Sequence, residues 1–125
     1  MTTCQASVRR AGSDREVVRF RLARTLWERF RGLMLAPPLP PGEALWLPAC
    51  GAVHTAFVRQ PIDLVFLRGR RIVQVQPCVV PWRVAVCAGA DSVIELAAGE
   101  AGRLELCPGQ SLELDPDPAA ARFVR

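Results

Sequence analysis

The sequence predicts a mainly β, single-domain protein: a β-sandwich or partly open barrel with one α-helix packed on it. Three observations support this fold class. Short apolar segments that alternate with period two recur along the 125 residues, turns rich in glycine and proline separate them, and a single segment shows a convincing helical period. Half of the residues are hydrophobic, which is enough for a core at this length. We expect one domain over residues 1–115 and a flexible tail over 116–125, which lacks periodicity.

The first half of the chain predicts a strand pair followed by the helix. Glu16–Ala23 alternates apolar residues with arginines and pairs with Ala6–Arg10 through a turn. Thr25 and Glu28 then have the S/T-x-x-E spacing of a capping box. The helix should end before Pro37, because proline disfavours the α conformation in the residue before it. Its apolar face comprises Leu26, Phe30, Leu33 and Met34.

The remaining elements are predicted from short apolar segments bounded by turn residues. Proline separates several of them, since it lacks the N–H that an interior strand donates. One helical turn is expected within residues 97–104, where two glycines weaken it. The predicted strands are Ala44–Leu47, Val53–Val58, Ile62–Leu67, Ile72–Gln76, Trp82–Val86, Ser92–Leu96 and Ser111–Leu114.

Composition excludes several classes of protein. The net charge is +4 and every basic residue is arginine, which resembles the codon bias of a GC-rich genome. Nucleic-acid binding is disfavoured, because no binding motif or aromatic-basic interleaving accompanies the charge. No segment has the length of a membrane span, and no signal peptide is recognised at the N-terminus. The five cysteines have irregular spacing, which favours free thiols in a reducing compartment. We therefore expect a bacterial, cytoplasmic protein.

One stretch, residues 50–67, carries an unusual set of polar groups. The single histidine, His54, lies four residues after Cys50, and Arg59 and Asp63 flank Pro61 within a strongly apolar run. Polar groups of this kind are costly to bury unless each finds a partner. This stretch is therefore where a functional site is expected.

These pieces resemble the DUF192 family of small prokaryotic proteins of unassigned function. The resemblance rests on the R-G-L-M segment at Arg31–Met34, on H-T-x-x-x-R-x-P-I-D at 54–63, on residues 94–99 and on Pro108-Gly109. The sequence departs from the family pattern at Val58, where a methionine is usual, and at Gln110, where an aspartate is usual. The resemblance implies a β-rich sandwich with one helix and brings no catalytic assignment.

Two chemistries are open for Cys50 and His54. They could be a nucleophile and its base, because a nearby histidine can convert a thiol to a thiolate. They could also ligate zinc with Cys78 and Cys87, although these spacings match no standard site. We favour a structural role for both residues, and we predict no metal and no cofactor.

Arg59, Asp63 and Glu95 also allow two interpretations. They could form a charged network that fixes strand register, or line a ligand site in which the arginine fork binds a carboxylate. The predicted ligand-binding residues are His54, Thr55, Arg59, Asp63 and Glu95. The leading hypothesis is a non-catalytic module that binds a small polar or anionic ligand, or a protein partner, near His54–Asp63. The alternative is a hydrolase or transferase that uses Cys50 or His54.

Overall fold

The computed structural model describes residues 2–9, 15–22, 39–48 and 50–114, with side chains for 39–48 and 50–112. The predicted helix from Thr25 and the predicted tail over 116–125 lie outside these residues. The described strands are β1 Thr2–Arg9, β2 Arg15–Leu22, β3 Glu43–Pro48, β4 Ala52–His54, β5 Ile62–Arg68, β6 Arg71–Val79, β7 Val84–Val86, β8 Ser92–Ala97 and β9 Leu112–Leu114. One short helix, α1, spans Glu100–Arg103 within the same residues.

Seven strands form one sheet in the order β6-β5-β8-β3-β2-β1-β9. All neighbouring pairs are antiparallel except β2 and β3, which are parallel. The sheet curls until its two edges meet, where Arg71 forms a bridge with Ser111. Backbone hydrogen bonds between residues 70–72 and 109–112 hold this contact. The edges meet only at this end of β6 within the described residues, so the barrel is partly open.

Both faces of the central strands are buried, which explains their nearly continuous apolar sequence. Inside the curl, Trp46 of β3 and Val65 of β5 pack with Ile72 and Leu112 from the two edge strands and with Leu104 after α1. The outer face carries a second cluster that includes Leu45, Phe66, Val53 and Ala85. The last two belong to β4 and β7, which pair as a separate two-stranded antiparallel ribbon. The ribbon therefore forms a second layer over the large sheet.

The predicted mainly β fold class is confirmed, and most predicted strands agree with the structure to within a few residues. Two strands are shorter than predicted by at least two residues. Val53–Val58 is a strand only to His54, because residues 55–57 turn and Phe57 adopts φ 60°. Trp82–Val86 is a strand only from Val84, since Trp82 adopts φ 66°. The predicted single helical turn in 97–104 is confirmed as α1.

Strand β6 is longer than predicted, because it continues past Pro77 to Val79. Proline is accepted there because β6 is an edge strand of the sheet. The register with β5 shifts between Ile62 and Leu64, and Cys78 in the shifted region adopts φ 52°. In the described part of the chain, no helix is long and apolar enough to cross a lipid bilayer.

Candidate functional site

Asp63 is almost completely buried, with 1% of its surface exposed. Its Oδ1 accepts a hydrogen bond from the Cys78 backbone N–H at 2.9 Å. Its Oδ2 accepts from the N–H groups of Gly99 at 3.0 Å and Ala101 at 2.8 Å. Carboxylates stabilise helix N-termini in this way, because the first N–H groups of a helix have no partner inside it. Asp63 therefore joins β5 to the irregular part of β6 and to the start of α1.

Thr55 follows β4 and is also fully buried. Its Oγ1 accepts from the Arg83 N–H at 2.7 Å and donates to the Val80 carbonyl oxygen at 2.8 Å. The Thr55 backbone N–H donates to Arg83 O at 2.8 Å, and its carbonyl oxygen accepts from Trp82 N–H at 3.1 Å. One residue thus holds the loop over residues 80–83 against the turn over 55–58.

The other predicted site residues, Arg59, Glu95 and His54, lie at separate positions in the fold. Arg59 is exposed in the loop before β5. No ion pair between Arg59 and Asp63 is present among the described residues, and Asp63 instead binds backbone amides. Glu95 is buried on β8, in register with Leu45 and Leu64. His54 is half-buried at the end of β4, opposite Val84. The structure therefore does not join Arg59 to Asp63 in the charged network considered from the sequence.

Cys50 is half-buried, and its thiol donates to the Ala52 carbonyl oxygen at 2.7 Å. The four cysteines with described side chains are free thiols, two of them half-buried (Cys50, Cys87) and two exposed (Cys78, Cys107). In the part of the chain that the structure describes, no group of three or more His, Cys, Asp or Glu side chains could hold a metal ion. The zinc set of Cys50, His54, Cys78 and Cys87 is therefore not assembled.

Among the described side chains, five large apolar ones are exposed, and we call them the β7 surface: Phe57, Val80, Trp82, Val84 and Val86. Their exposed fractions run from 41% for Val80 to 74% for Val84. The rings of Phe57 and Trp82 meet edge to face, with centroids 4.6 Å apart. Val84 and Val86 alternate with the buried Ala85, so both point away from the core.

The two aromatic residues of the β7 surface have unusual backbones. Phe57 has φ 60° and Trp82 has φ 66°, a left-handed conformation that costs a bulky L-residue roughly 1–2 kcal/mol. Glycine or asparagine would meet the same turn geometry at lower cost. Strained residues of this kind cluster at functional sites, where the surrounding structure enforces them. Here Thr55 supplies that structure, since it binds the backbone of Trp82 and Arg83.

A shallow cleft of about 430 Å³ lies at the other end of β5. Arg68 and Arg71 line it together with Ile72, Val73, Pro108 and Gly109. Arg68 is six residues beyond Ile62, a separation of about 20 Å along a strand. The cleft is thus remote from the predicted site at His54–Asp63.

Sequence reasoning missed the β7 surface, because Trp82 lies in the predicted strand Trp82–Val86, for which no exposed face is predicted. The strand sequence Val84-Ala85-Val86 is apolar at every position, so periodicity could not reveal which face is buried. Phe57 lies inside the turn over 55–58, and Pro61, four residues later, was the available signal that the strand breaks here. Phe57 instead falls within the predicted strand Val53–Val58, which ends before Pro61.

Two comparisons with known proteins identify one family. The model of DUF192, described as an uncharacterized ACR, matches residues 7–114. A UPF0127 protein from Thermococcus sibiricus is 36% identical over an alignment of 86 residues, which covers 65% of this chain and 56% of that protein. The chain therefore spans little more than half the length of this curated relative.

Two crystal structures share the fold. A protein of unknown function from Novosphingobium aromaticivorans superposes with a TM-score of 0.77 and 28% identity, over 87% of this chain and 83% of that chain. A candidate transcription regulator from Sinorhizobium meliloti gives a TM-score of 0.83 at 21% identity, over 90% of this chain and 94% of that chain. The family match covers most of the chain, and the resemblance noted in its motifs is confirmed: the protein belongs to the DUF192 family.

Proposed function

We propose that this protein is a non-catalytic module that binds a protein partner through the β7 surface beside His54. The observation that carries the proposal is the exposed pair of Phe57 and Trp82. Their rings are in edge-to-face contact, and both residues have a left-handed backbone conformation. Aromatic residues dominate the energetics of protein interfaces. A contiguous exposed apolar patch on a folded domain commonly marks such an interface.

The hydrogen bonds that Thr55 and Asp63 make favour a surface for a protein partner over a pocket for a small ligand. A polar ligand needs hydrogen-bonding groups that converge on it. The Thr55 hydroxyl and both Asp63 oxygens already bind backbone groups of the protein itself. Arg59 is exposed and His54 is half-buried, and both remain candidates for polar contacts at the rim of the interface.

The enzyme alternative receives less support. A nucleophilic cysteine requires a base or cation that lowers the pKa of its thiol. The Cys50 thiol instead donates a hydrogen bond to the main-chain oxygen of Ala52. We place the protein in the bacterial cytoplasm, where its described free cysteines would stay reduced.

Affinity capture with a matched set of variants tests the proposal. The wild-type protein, Trp82→Ala and Arg70→Ala are immobilised and exposed to a lysate of the source organism, and bound proteins are compared by quantitative mass spectrometry. Arg70 is an exposed residue of the hairpin between β5 and β6, so its replacement serves as the control. A true partner is retained by Arg70→Ala and lost by Trp82→Ala.

The captured partner is then purified, and its affinity is measured by calorimetry. Removing an interface tryptophan typically costs about 2 kcal/mol or more, or about thirtyfold in Kd. Equal affinity for the wild-type protein and Trp82→Ala would refute the role of the β7 surface.

A further inference from the structure

We propose that β7 accepts an extended segment of the partner as an additional antiparallel strand, and that this segment is apolar at alternate positions and acidic at its ends. This inference rests on the proposed function and specifies its mode of binding. Strand addition of this kind is a recurrent way of recognising peptides.

The first argument is the hydrogen-bonding phase of the ribbon. Cys87 N–H donates to Gly51 O at 2.9 Å, and Thr55 N–H donates to Arg83 O at 2.8 Å. Hydrogen-bonded pairs alternate along an antiparallel ladder. Val53 and Ala85, which lie two positions from each of these bonded pairs, therefore also form a hydrogen-bonded pair.

The same phase directs other backbone groups outward. Val84 and Val86 occupy the pairs without hydrogen bonds, so their N–H and C=O groups point away from β4. In the described part of the chain these backbone groups make no hydrogen bond to a turn or loop outside the ladder. They form a short row of donors and acceptors, which is the template that an added strand requires.

The two edges of the ribbon differ in this respect. At the outer edge of β4, the Cys50 thiol donates a hydrogen bond to the outward carbonyl oxygen of Ala52. On the β7 side, the exposed valines flank the open backbone groups. Natural edge strands are commonly protected by charged residues or proline, whereas the three residues of β7 are valine, alanine and valine. Among the residues that the structure describes, the open edge of the ribbon is therefore β7.

Charge identifies the chemistry of the partner. Residues 50–62 and 77–90 contain Arg59 and Arg83 and no carboxylate, and both arginines are exposed. Two acidic residues adjoin these ranges: Asp63 is buried, and Asp91 accepts a hydrogen bond from the Gly69 N–H at 3.1 Å and so is directed to the hairpin. Acidic residues at the ends of the added segment would complement the two arginines, whereas a second copy of this chain would bring two more arginines.

The test uses a fluorescein-labelled peptide, Asp-Glu-Val-Thr-Val-Thr-Val-Glu-Asp, with binding measured by fluorescence anisotropy. Its valines lie opposite Val84 and Val86 when it pairs with β7, so the valine N–H groups point toward the strand. N-methylation of the three valines should abolish binding, and N-methylation of the two threonines should preserve it. Replacing the four acidic residues by lysine should weaken binding about tenfold or more.

Protein variants provide an independent test. Val86→Pro removes one outward N–H and leaves the ladder with β4 intact, because proline is tolerated on edge strands. Val86→Thr keeps the N–H and the branched shape, so it is the matched control. Binding should be lost in Val86→Pro and retained in Val86→Thr. The N-methylated peptides test the same backbone contact on the wild-type protein, so a folding defect in Val86→Pro does not decide the result.

The outcomes separate the two proposals. If both N-methylated peptides bind equally while Trp82→Ala weakens binding, strand addition is overturned and the β7 surface remains an interface. If Val-methylation abolishes binding and Trp82→Ala has no effect, strand addition stands and the aromatic contact proposed above fails. Absence of binding by every peptide, or dimerisation of the protein through β7 in sedimentation experiments, would overturn the inferred partner chemistry.

Discussion

The carboxylate of Asp63 accepts a hydrogen bond from the Ala101 backbone N–H at 2.8 Å, which links residues 38 positions apart in the chain. A helix of four residues has too few internal hydrogen bonds to persist alone. Asp63 supplies acceptors for its first N–H groups, and the buried Leu104 after the helix packs in the core. The aspartate of the H-T-x-x-x-R-x-P-I-D segment is thus a structural residue of the loop and helix after β8.

Asp63→Asn should lower the free energy of unfolding by about 3 kcal/mol. The asparagine NH₂ group would face backbone donors on one side, and a buried unsatisfied donor costs roughly 1–3 kcal/mol. Urea denaturation checks the change. Asp91→Asn is the control, because Asp91 is exposed and its side chain accepts from the Gly69 N–H at the surface, and it should cost less than about 1 kcal/mol. Equal stability of Asp63→Asn and the wild-type protein would contradict this role.

Thr55→Val should destabilise the protein by about 1–3 kcal/mol, because it leaves the Arg83 N–H and the Val80 carbonyl oxygen without their partner. Thr55→Ser keeps the hydroxyl and loses only a buried methyl group, so it should be the milder variant. Hydrogen exchange at the Arg83 amide should accelerate in Thr55→Val and not in Thr55→Ser. Equal exchange rates in both variants would mean that the hydroxyl does not hold the loop.

The stability of the protein should decrease in acid through Glu100. The side-chain hydrogen bond from Arg103 lowers the pKa of Glu100 below its usual 4.5, the backbone N–H of Gly42 adds to this effect, and burial opposes it. The folded-state pKa is therefore below that of the unfolded chain. The stabilisation from Glu100 is complete above the unfolded-state pKa and is lost as the pH falls through the folded-state value.

The comparison of the wild-type protein with Glu100→Gln measures this contribution. The difference between their free energies of unfolding should be largest near neutrality and should shrink as the pH falls below about 4.5. Chemical denaturation at several pH values gives both curves. A difference that stays constant down to strongly acidic pH would show that the ionised form of Glu100 is not stabilised by folding.

Alkylation with iodoacetamide near pH 6.5 should modify Cys78 and Cys107 before Cys50 and Cys87. The first two thiols are exposed, and the other two are half-buried against the apolar cluster of the outer face. Peptide mapping by mass spectrometry gives the order of modification. A Cys50 that reacts much faster than the exposed thiols would point to an activated nucleophile and would revive the enzyme hypothesis.

The strand pattern was accessible from sequence because buried strands are short apolar runs between turn residues. Ile62–Leu67 agrees with β5 nearly residue for residue. The predictions failed where side chains override this pattern. Residues 55–58 are rich in strand-forming types, yet the hydroxyl of Thr55 binds the loop over 80–83 and the chain turns.

The candidate site was harder to predict for a related reason. The sequence marked Asp63 as unusual but could not show its partners, which lie 15 to 38 residues away. The polar residues of the predicted site at His54–Asp63 divide into two groups. Thr55 and Asp63 stabilise loops, and Arg59 and His54 lie nearer the surface. The exposed aromatic pair depends on two left-handed turns, which no periodicity indicates.

The meeting of the two sheet edges has a consequence for how the chain folds. Val8 of β1 pairs with Leu112 of β9, about a hundred residues later, and the bridge from Arg71 to Ser111 depends on the same late segment. Pairing across such a separation carries a large loop-closure entropy and makes folding slow. During synthesis, one edge of β1 remains unpaired until nearly the whole domain has been made. A chain interrupted before Leu112 would retain that edge and lose a residue of the inner cluster, and it would therefore be prone to aggregate.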